Sequence, residues 1–185
     1  MNAPFQAATF ATFTYLAPLA IRVAGLGAGW VPGLLVLFGA GAAAGSTLGG
    51  PLADARPVAL VRYGMAALVL GWAVLALTAG WPVALAVLAF TQGLLAFGVG
   101  PGLIARFLRL ATGAPTLAAA FATAAFNVGN TAGPWLAGLA IDAGFGYRSP
   151  AWVSAGLMVV ALTMALTLTA REPARPVSAE AVRRD

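Results

Sequence analysis

Charged residues divide the chain into long uncharged stretches, and this pattern constrains the fold more than any other feature of the sequence. A membrane-spanning helix needs about 20 predominantly apolar residues. Each uncharged stretch reaches this length, so the sequence predicts an integral membrane protein. The stretches without any charged residue are 1–21, 23–53, 63–105, 110–141 and 149–170.

The composition excludes a soluble domain. Only 8% of the 185 residues are charged and 61% are hydrophobic, whereas a soluble domain carries about 25% charged residues. The chain has a net charge of +5 and contains ten arginines, but these are too scattered to form the basic stripe that binds a phosphate backbone. We therefore expect a lipid bilayer around this chain and no nucleic-acid partner.

The side chains that most enzymes and metal sites use are missing from the sequence. It contains no cysteine and no histidine, which excludes disulfides, thiol catalysis and histidine-based acid–base catalysis. No predicted span holds the aspartate pair or the serine and histidine that an intramembrane protease needs. We therefore predict no enzymatic activity, no metal and no cofactor.

The longest uncharged stretch, 63–105, holds 43 residues, which is about twice the length of one span. The sequence Gly80-Trp81-Pro82 divides it, because glycine and proline mark turns. We predict an all-α bundle of six spans in a membrane domain 1–170, followed by a disordered cytoplasmic tail 171–185. The predicted spans are 4–21, 30–53, 59–79, 82–105, 116–141 and 151–170.

The arginines predict the orientation of this bundle. Six spans place both termini on one side, and that side receives eight of the ten arginines. Segments rich in Lys and Arg face the cytoplasm, so we expect a multi-pass protein of the plasma (inner) membrane with both termini cytoplasmic. Only Arg22 and Arg148 fall on the opposite side. The eight are Arg56, Arg62, Arg106, Arg109, Arg171, Arg175, Arg183 and Arg184.

The first predicted span is not a signal peptide, because no basic residue precedes it and it exceeds the usual length of the apolar region. The chain instead begins almost directly inside a membrane helix. We interpret this start as a position within a longer protein.

Glycines recur at helical spacing in two of the spans. Gly41, Gly45 and Gly49 lie four residues apart in span two, and Gly129 and Gly133 repeat the spacing in span five. Small residues at this spacing allow membrane helices to pack closely. We predict helix-packing roles for these five glycines, either in static packing or in helices that bend and slide during a transport cycle.

Polar side chains are concentrated in spans one, four and five. Spans three and six carry nothing more polar than serine or threonine within the membrane, because Arg62 lies at the start of span three and can reach the interface. One interpretation is interhelical hydrogen bonding. The other is that spans one, two, four and five surround an aqueous cavity, with the chain arranged as two inverted three-helix repeats. The polar residues are Gln6, Thr9, Thr12, Tyr15, Gln92, Thr123, Asn127, Asn130 and Thr131.

Residues 49–57 (GGPLADARP) resemble the cytoplasmic loop motif of the major facilitator superfamily, with Ala55 and Pro57 in place of the usual arginine and glycine. With residues 11–18, this segment makes the chain similar to the C-terminal half, spans seven to twelve, of such a transporter. The resemblance implies that Gly50, Asp54 and Arg56 form a conformational latch. It also implies half of the major facilitator fold.

Within that superfamily the chain is most similar to drug:proton antiporters of the arabinose-efflux-like group, especially chloramphenicol exporters. The segments that carry this similarity are 25–32, 37–41, 113–116 and 124–130. The resemblance implies proton-coupled efflux of a small amphiphilic drug by alternating access. It also implies a partner, an N-terminal six-span half from the same or an adjacent gene, which would hold the membrane-embedded charges that this chain lacks. The expected cavity residues are Thr12, Tyr15, Gln92, Phe126, Asn127 and Asn130.

Other functions stay open from the sequence. Sugar and purine exporters share much of the same pattern. A free-standing six-span protein would act as a homodimeric exporter, a channel or an accessory subunit. A fragment that folds without transporting is a third alternative.

Overall fold

The computed structural model describes residues 1–110 and 115–170, and six long helices make up most of this part of the chain. No strand occurs among the described residues, which confirms the all-α prediction. The predicted tail 171–185 lies outside the described residues. The helices are α1 (Asn2–Thr14), α2 (Val31–Ala55), α3 (Pro57–Thr78), α4 (Pro82–Leu110), α5 (Pro115–Ala140) and α6 (Ser149–Ala170).

Two helices on the same side of the bundle end in wider turns. After a break at Tyr15, α1 continues through Leu16–Pro18 into a π-helical turn, Leu19–Val23. A second π-helical turn, Ile141–Phe145, follows α5. Gly144 lies inside this turn with φ of +87°, a left-handed conformation that favours glycine, so the chain can leave the helix there.

Four helical segments of the described chain are long and apolar enough to cross a membrane. This agrees with the prediction of a membrane protein. The remaining predicted spans correspond to α1, which is 13 residues long before its break, and to α5, which carries two asparagines. The count of six spans therefore stays a prediction. The four segments are Ala28–Ala55, Pro57–Thr78, Pro82–Ala105 and Ser149–Leu168.

The helices pack as two parallel pairs backed by a third pair. The most extensive contacts join α2 to α4 and α1 to α5, while α3 and α6 pack against each other and against α4 and α1 respectively. Exchanging α1–α3 with α4–α6 leaves this contact pattern unchanged. The bundle is therefore built from two three-helix repeats.

Glycines bring the backbones of each parallel pair into direct contact. A Cβ atom at Gly45 in α2 would overlap the carbonyl oxygen of Leu94 in α4, and a Cβ atom at Gly133 in α5 would overlap that of Ala7 in α1. Gly41, Gly49 and Gly129 meet backbone atoms in the same way. Both predicted glycine series thus lie at the α2–α4 and α1–α5 interfaces, on the inside of the bundle.

Candidate binding cleft

A cleft with a volume of about 260 Å³ opens between α1, α2, α4 and α5. Neither α3 nor α6 contributes a lining residue, because these two helices form the back of the bundle. The cleft therefore lies on the front face, where all four remaining helices can reach it. Its lining residues are Phe5, Gln6, Thr9, Ser46, Ala96, Phe97, Gly100, Pro101, Ile104 and Phe126.

The cleft occupies one side of the bundle. Its α1 residues, Phe5, Gln6 and Thr9, come from the first part of that helix, while α4 contributes residues 96–104 from its second half. Because α1 and α4 are equivalent helices of two oppositely directed repeats, these segments lie on the same side. This is the side that holds the beginning of α1 and the ends of α2 and α4.

Aromatic rings mark the inner end of the cleft. The Phe13 ring of α1 lies with its centroid 4.7 Å from that of Phe38 in α2. The Phe38 ring in turn meets Phe97 of α4 edge to face, with centroids 6.3 Å apart. The three rings thus join α1, α2 and α4, and the last of them also lines the cleft.

The polar groups of the cleft are uncharged. Thr9 Oγ1 donates to the Phe5 carbonyl over 3.2 Å, and Ser46 Oγ donates to the Ala42 carbonyl over 2.9 Å. Both hydroxyls therefore keep only acceptor capacity for a ligand. The Gln6 amide makes no hydrogen bond to another described residue, so it can both donate and accept. None of the ten lining residues is ionisable.

Of the expected cavity residues, the structure places Phe126 in the cleft and puts Thr12 and Gln92 elsewhere. Thr12 is 1% exposed, and its Oγ1 lies 2.6 Å from Ser154 Oγ of α6. Gln92 is also 1% exposed, and its Nε2 donates to the Leu68 carbonyl of α3 over 3.3 Å. Both side chains point toward the back of the bundle, where they join helices.

The other three expected cavity residues lie on or near α5, outside the cleft. Asn127 is exposed and lines a separate shallow groove with Thr131 and Trp135. Asn130 is half-buried, and its Oδ1 has no hydrogen-bond partner in the described part of the chain. The Tyr15 hydroxyl lies beside Gly138. The structure therefore does not bring these three side chains together with Phe126.

The expected latch residues lie together at the end of α2. Asp54 and Arg56 are both exposed, and the space beside Gly50 is open, with no atom within 4 Å of an added Cβ. This end of α2 is on the same side of the bundle as the cleft. The side chains of Asp54 and Arg56 form no hydrogen bond or ion pair with another described residue.

Sequence reasoning missed most of the cleft residues. Gln6 and Thr9 belong to the polar series of α1, so a signal for them was present. Ser46 follows Gly45 of the packing series, and nothing in the sequence around it predicts a position in the cleft. Phe97 is one of ten phenylalanines, and composition does not distinguish it from a lipid-facing ring.

Comparisons with known proteins give a consistent result. Residues 4–184 match the Major Facilitator Superfamily. The chain is 47% identical over 165 residues to the chloramphenicol resistance protein of Streptomyces lividans, covering 89% of this chain and 42% of that protein. It is 37% identical over 156 residues to the uncharacterized MFS-type transporter YtbD of Bacillus subtilis, covering 82% of this chain and 39% of that protein.

A third relative is the inner membrane transport protein YdhP of Escherichia coli. The chain is 29% identical to it over 166 residues, covering 90% of this chain and 43% of that protein. The chain therefore spans about two fifths of the length of the curated relatives it matches.

Proposed function

Because the chain belongs to the Major Facilitator Superfamily, a family of membrane transporters and not of enzymes, we propose that it forms part of an exporter of small, uncharged amphiphilic molecules. The observation that carries this proposal is the cleft between α1, α2, α4 and α5. It is open on one side, largely apolar and without an ionisable lining residue. An uncharged substrate loses least free energy on entering such a site, since burying an unpaired charge is costly.

The transporter works by alternating access between two six-helix bodies, of which this chain is one. The chain spans 42% of the chloramphenicol resistance protein, which leaves room for a second body in a relative of that length. The cleft needs such a body, because its front is open and its 260 Å³ is slightly below the about 300 Å³ at which complete ligand pockets begin. Rocking of the two bodies about the cleft exposes it to each side of the membrane in turn.

The proposed substrate class includes chloramphenicol, by extension from the Streptomyces relative that carries this compound in its name. Chloramphenicol is uncharged and combines an aromatic ring with hydroxyl and amide groups. The cleft offers phenylalanine rings together with the Gln6 amide and the Ser46 hydroxyl. A sugar carries more hydroxyl groups than Gln6, Thr9 and Ser46 can satisfy, and unsatisfied polar groups are costly to bury, which makes a sugar exporter the weaker alternative.

Export is coupled to protons through a group outside this chain. The cleft-lining residues carry no acid, and a coupling site requires a buried ionisable group. We place that group in the N-terminal body. We also place the protein in the inner membrane with both termini in the cytoplasm, because eight of its ten arginines then lie on the cytoplasmic side.

Accumulation of radiolabelled chloramphenicol in an efflux-deficient bacterial strain tests this function. The chain is expressed alone and together with the N-terminal half, taken from the same or the adjacent gene. We expect low accumulation only when both bodies are present, and we expect a protonophore to abolish the difference. Equal accumulation in cells with and without the two bodies would refute export of this compound.

A matched pair of variants links export to the cleft. Ser46→Trp fills the cleft, whereas Thr47→Trp places the same side chain next to it on α2 at an exposed position that does not line the cleft. We expect Ser46→Trp to raise accumulation to the level of cells without the transporter, and Thr47→Trp to leave export intact. Equal export by both variants, at equal membrane levels, would show that the cleft is not the site.

A further inference from the structure

We infer that Phe97 is the specificity-determining residue of the cleft, that it selects an aromatic ring in the ligand, and that Phe38 is the residue that positions it. This inference rests on the proposed function, because it takes the cleft as the substrate site. It goes further in naming the group of the ligand that is recognised and the side chains that recognise it.

The Phe97 ring faces the cleft on one side and contacts the Phe38 ring on another. Its side chain is 38% exposed and lines the cleft between Ala96 and Gly100. Its ring meets that of Phe38 at an interplanar angle of 84° with centroids 6.3 Å apart. Edge-to-face contact within about 7 Å is a favourable arrangement of aromatic rings, so Phe97 keeps its orientation with its free surface toward the ligand.

Phe38 cannot move away from this position. Its side chain is 8% exposed, and its ring packs on Phe13 of α1 with centroids 4.7 Å apart. Its backbone is held as well, because the Phe38 carbonyl lies directly against Gly93 of α4, where an added Cβ would overlap it. Phe38 is therefore a rigid support, and a rigid support saves the ligand the cost of ordering Phe97 on binding.

The volume of the cleft is sufficient for one aromatic ring. A cavity of about 150 Å³ in a protein core accommodates benzene. The cleft volume of about 260 Å³ therefore holds one aromatic ring and leaves about 110 Å³ (260 − 150) for a small polar substituent. A larger substituent extends through the open front of the cleft, toward the second body.

The polar substituent meets Gln6. This amide lines the same cleft and has no hydrogen-bond partner among the described residues. A ligand amide can form two reciprocal hydrogen bonds with it, one donated and one accepted. No ionisable residue lines the cleft, so a charged ligand would stay unpaired there. The recognised class is an uncharged compound with one aromatic ring and an adjacent amide or hydroxyl group.

Two small amides that differ only in the ring test the inference directly. Benzamide and cyclohexanecarboxamide are both uncharged and carry the same amide, but only the first has an aromatic ring. Their dissociation constants are measured by saturation-transfer difference NMR with the chain and its second body assembled in lipid nanodiscs. Nanodiscs that hold the second body alone correct for partition into lipid and for binding outside this chain. We expect the chain to bind benzamide more tightly.

Phe97→Leu keeps an apolar side chain but removes the ring. Aromatic pairs contribute about 0.5–1.5 kcal/mol beyond the area they bury, so we expect benzamide to bind about two- to twelvefold more weakly. Binding of cyclohexanecarboxamide should stay within a factor of two. Phe97→Tyr should retain the preference, and Phe145→Leu, which removes an exposed ring in the turn after α5, should change neither constant.

Phe38→Leu separates positioning from a structural role. If Phe38 acts through Phe97, the variant loses part of the preference for benzamide and keeps its affinity for cyclohexanecarboxamide. A loss of affinity for both amides by the same factor would mean that Phe38 only maintains the fold. That result would overturn the positioning role.

Failure of the inference and failure of the proposed function give different results. An unchanged benzamide preference in Phe97→Leu overturns the inference, whatever the cells export. Equal binding of the two amides by the unsubstituted chain also overturns it. Normal discrimination in nanodiscs without chloramphenicol export in cells supports the inference and counts against the substrate proposed for the transporter.

Discussion

Replacement of Gly45 by alanine is expected to separate α2 from α4. Besides the overlap with the Leu94 carbonyl oxygen, the added Cβ would lie 2.9 Å from the carbonyl carbon of Leu94 and 2.9 Å from the Gly98 nitrogen. Ordinary contacts between carbon atoms begin at about 3.5 Å. The helices must therefore move apart by about 0.6 Å for these atoms alone, and the neighbouring atoms are backbone, which cannot rotate out of the way.

The magnitude follows from two opposed terms. Extra methyl groups in a packed interior cost about 1–3 kcal/mol, whereas glycine to alanine inside a helix gains about 0.5–1 kcal/mol. Gly39→Ala, on the same helix, has no atom within 4 Å of the added Cβ and shows the gain alone. The difference between the two variants isolates the contact, and we expect Gly45→Ala to be less stable than Gly39→Ala by about 1–3 kcal/mol.

Reversible unfolding in mixed micelles, followed by far-ultraviolet circular dichroism, measures this difference. Gly133→Ala provides an independent repetition, because its Cβ would overlap the Ala7 carbonyl at the equivalent α1–α5 interface. We expect Gly133→Ala to show a loss of the same size. Equal unfolding free energies for Gly45→Ala and Gly39→Ala would refute the argument that backbone contact at this glycine holds the pair together.

Three further predictions concern the back of the bundle. Thr12 and Ser154 share a hydrogen bond between α1 and α6, so a double-mutant cycle with Thr12→Val and Ser154→Ala should give a coupling free energy of about 0.6 kcal/mol. A coupling of zero would contradict the bond. Gln92 makes one hydrogen bond to α3, but its Oε1 has no partner in the described structure. Gln92→Leu should therefore change the free energy of unfolding little, and it should leave substrate selectivity unchanged in transport assays. A changed substrate preference would return Gln92 to the cavity. Arg148 donates to the last carbonyls of α3, one of them over 3.0 Å. Arg148→Gln should lower the free energy of unfolding by about 0.3–1 kcal/mol and speed amide exchange at that helix end. Unchanged amide exchange would contradict this capping.

The helical framework was predictable because its signals are local. Runs without charge are long enough to span a bilayer, and prolines stand at the first position of α3, α4 and α5, where the missing N–H is harmless. Glycines four residues apart identified the faces that pack closely. Such patterns depend only on neighbouring residues and on the bilayer, so a single sequence contains them.

The cleft was not predictable in the same way. The polar residues of α1 follow each other at steps of three, but three residues correspond to about 300° of a helix with 3.6 residues per turn. Each step therefore rotates the series by about 60°. Gln6 lines the cleft, while Thr12, two steps later, has turned by about 120° and meets α6. The polar residues of α1 therefore form a spiral and not a stripe, so that Gln6 lines the cleft and Thr12 contacts α6.

Gln92 illustrates a second limit. A buried amide in a membrane helix satisfies its hydrogen-bonding groups either on a cavity or on a neighbouring helix, and the sequence left both interpretations open. The structure places it against α3, next to the small residue Gly71. Gly71 lies on another helix, 21 residues away (92 − 71), and it leaves the space that the Gln92 side chain occupies against α3. No pattern within α4 predicts this placement.

The parallel pairing of helices has a consequence for the order in which the chain is made. α1 leaves the ribosome before α5, its close partner, and the contact between Ala7 and Gly133 joins residues 126 positions apart (133 − 7). At a synthesis rate of about 5–20 residues per second, α1 waits roughly 6–25 s for α5. During this time the backbone of Ala7 lacks its contact with Gly133. The helix that contributes the polar wall of the cleft thus takes its final place only when synthesis of the bundle is almost complete.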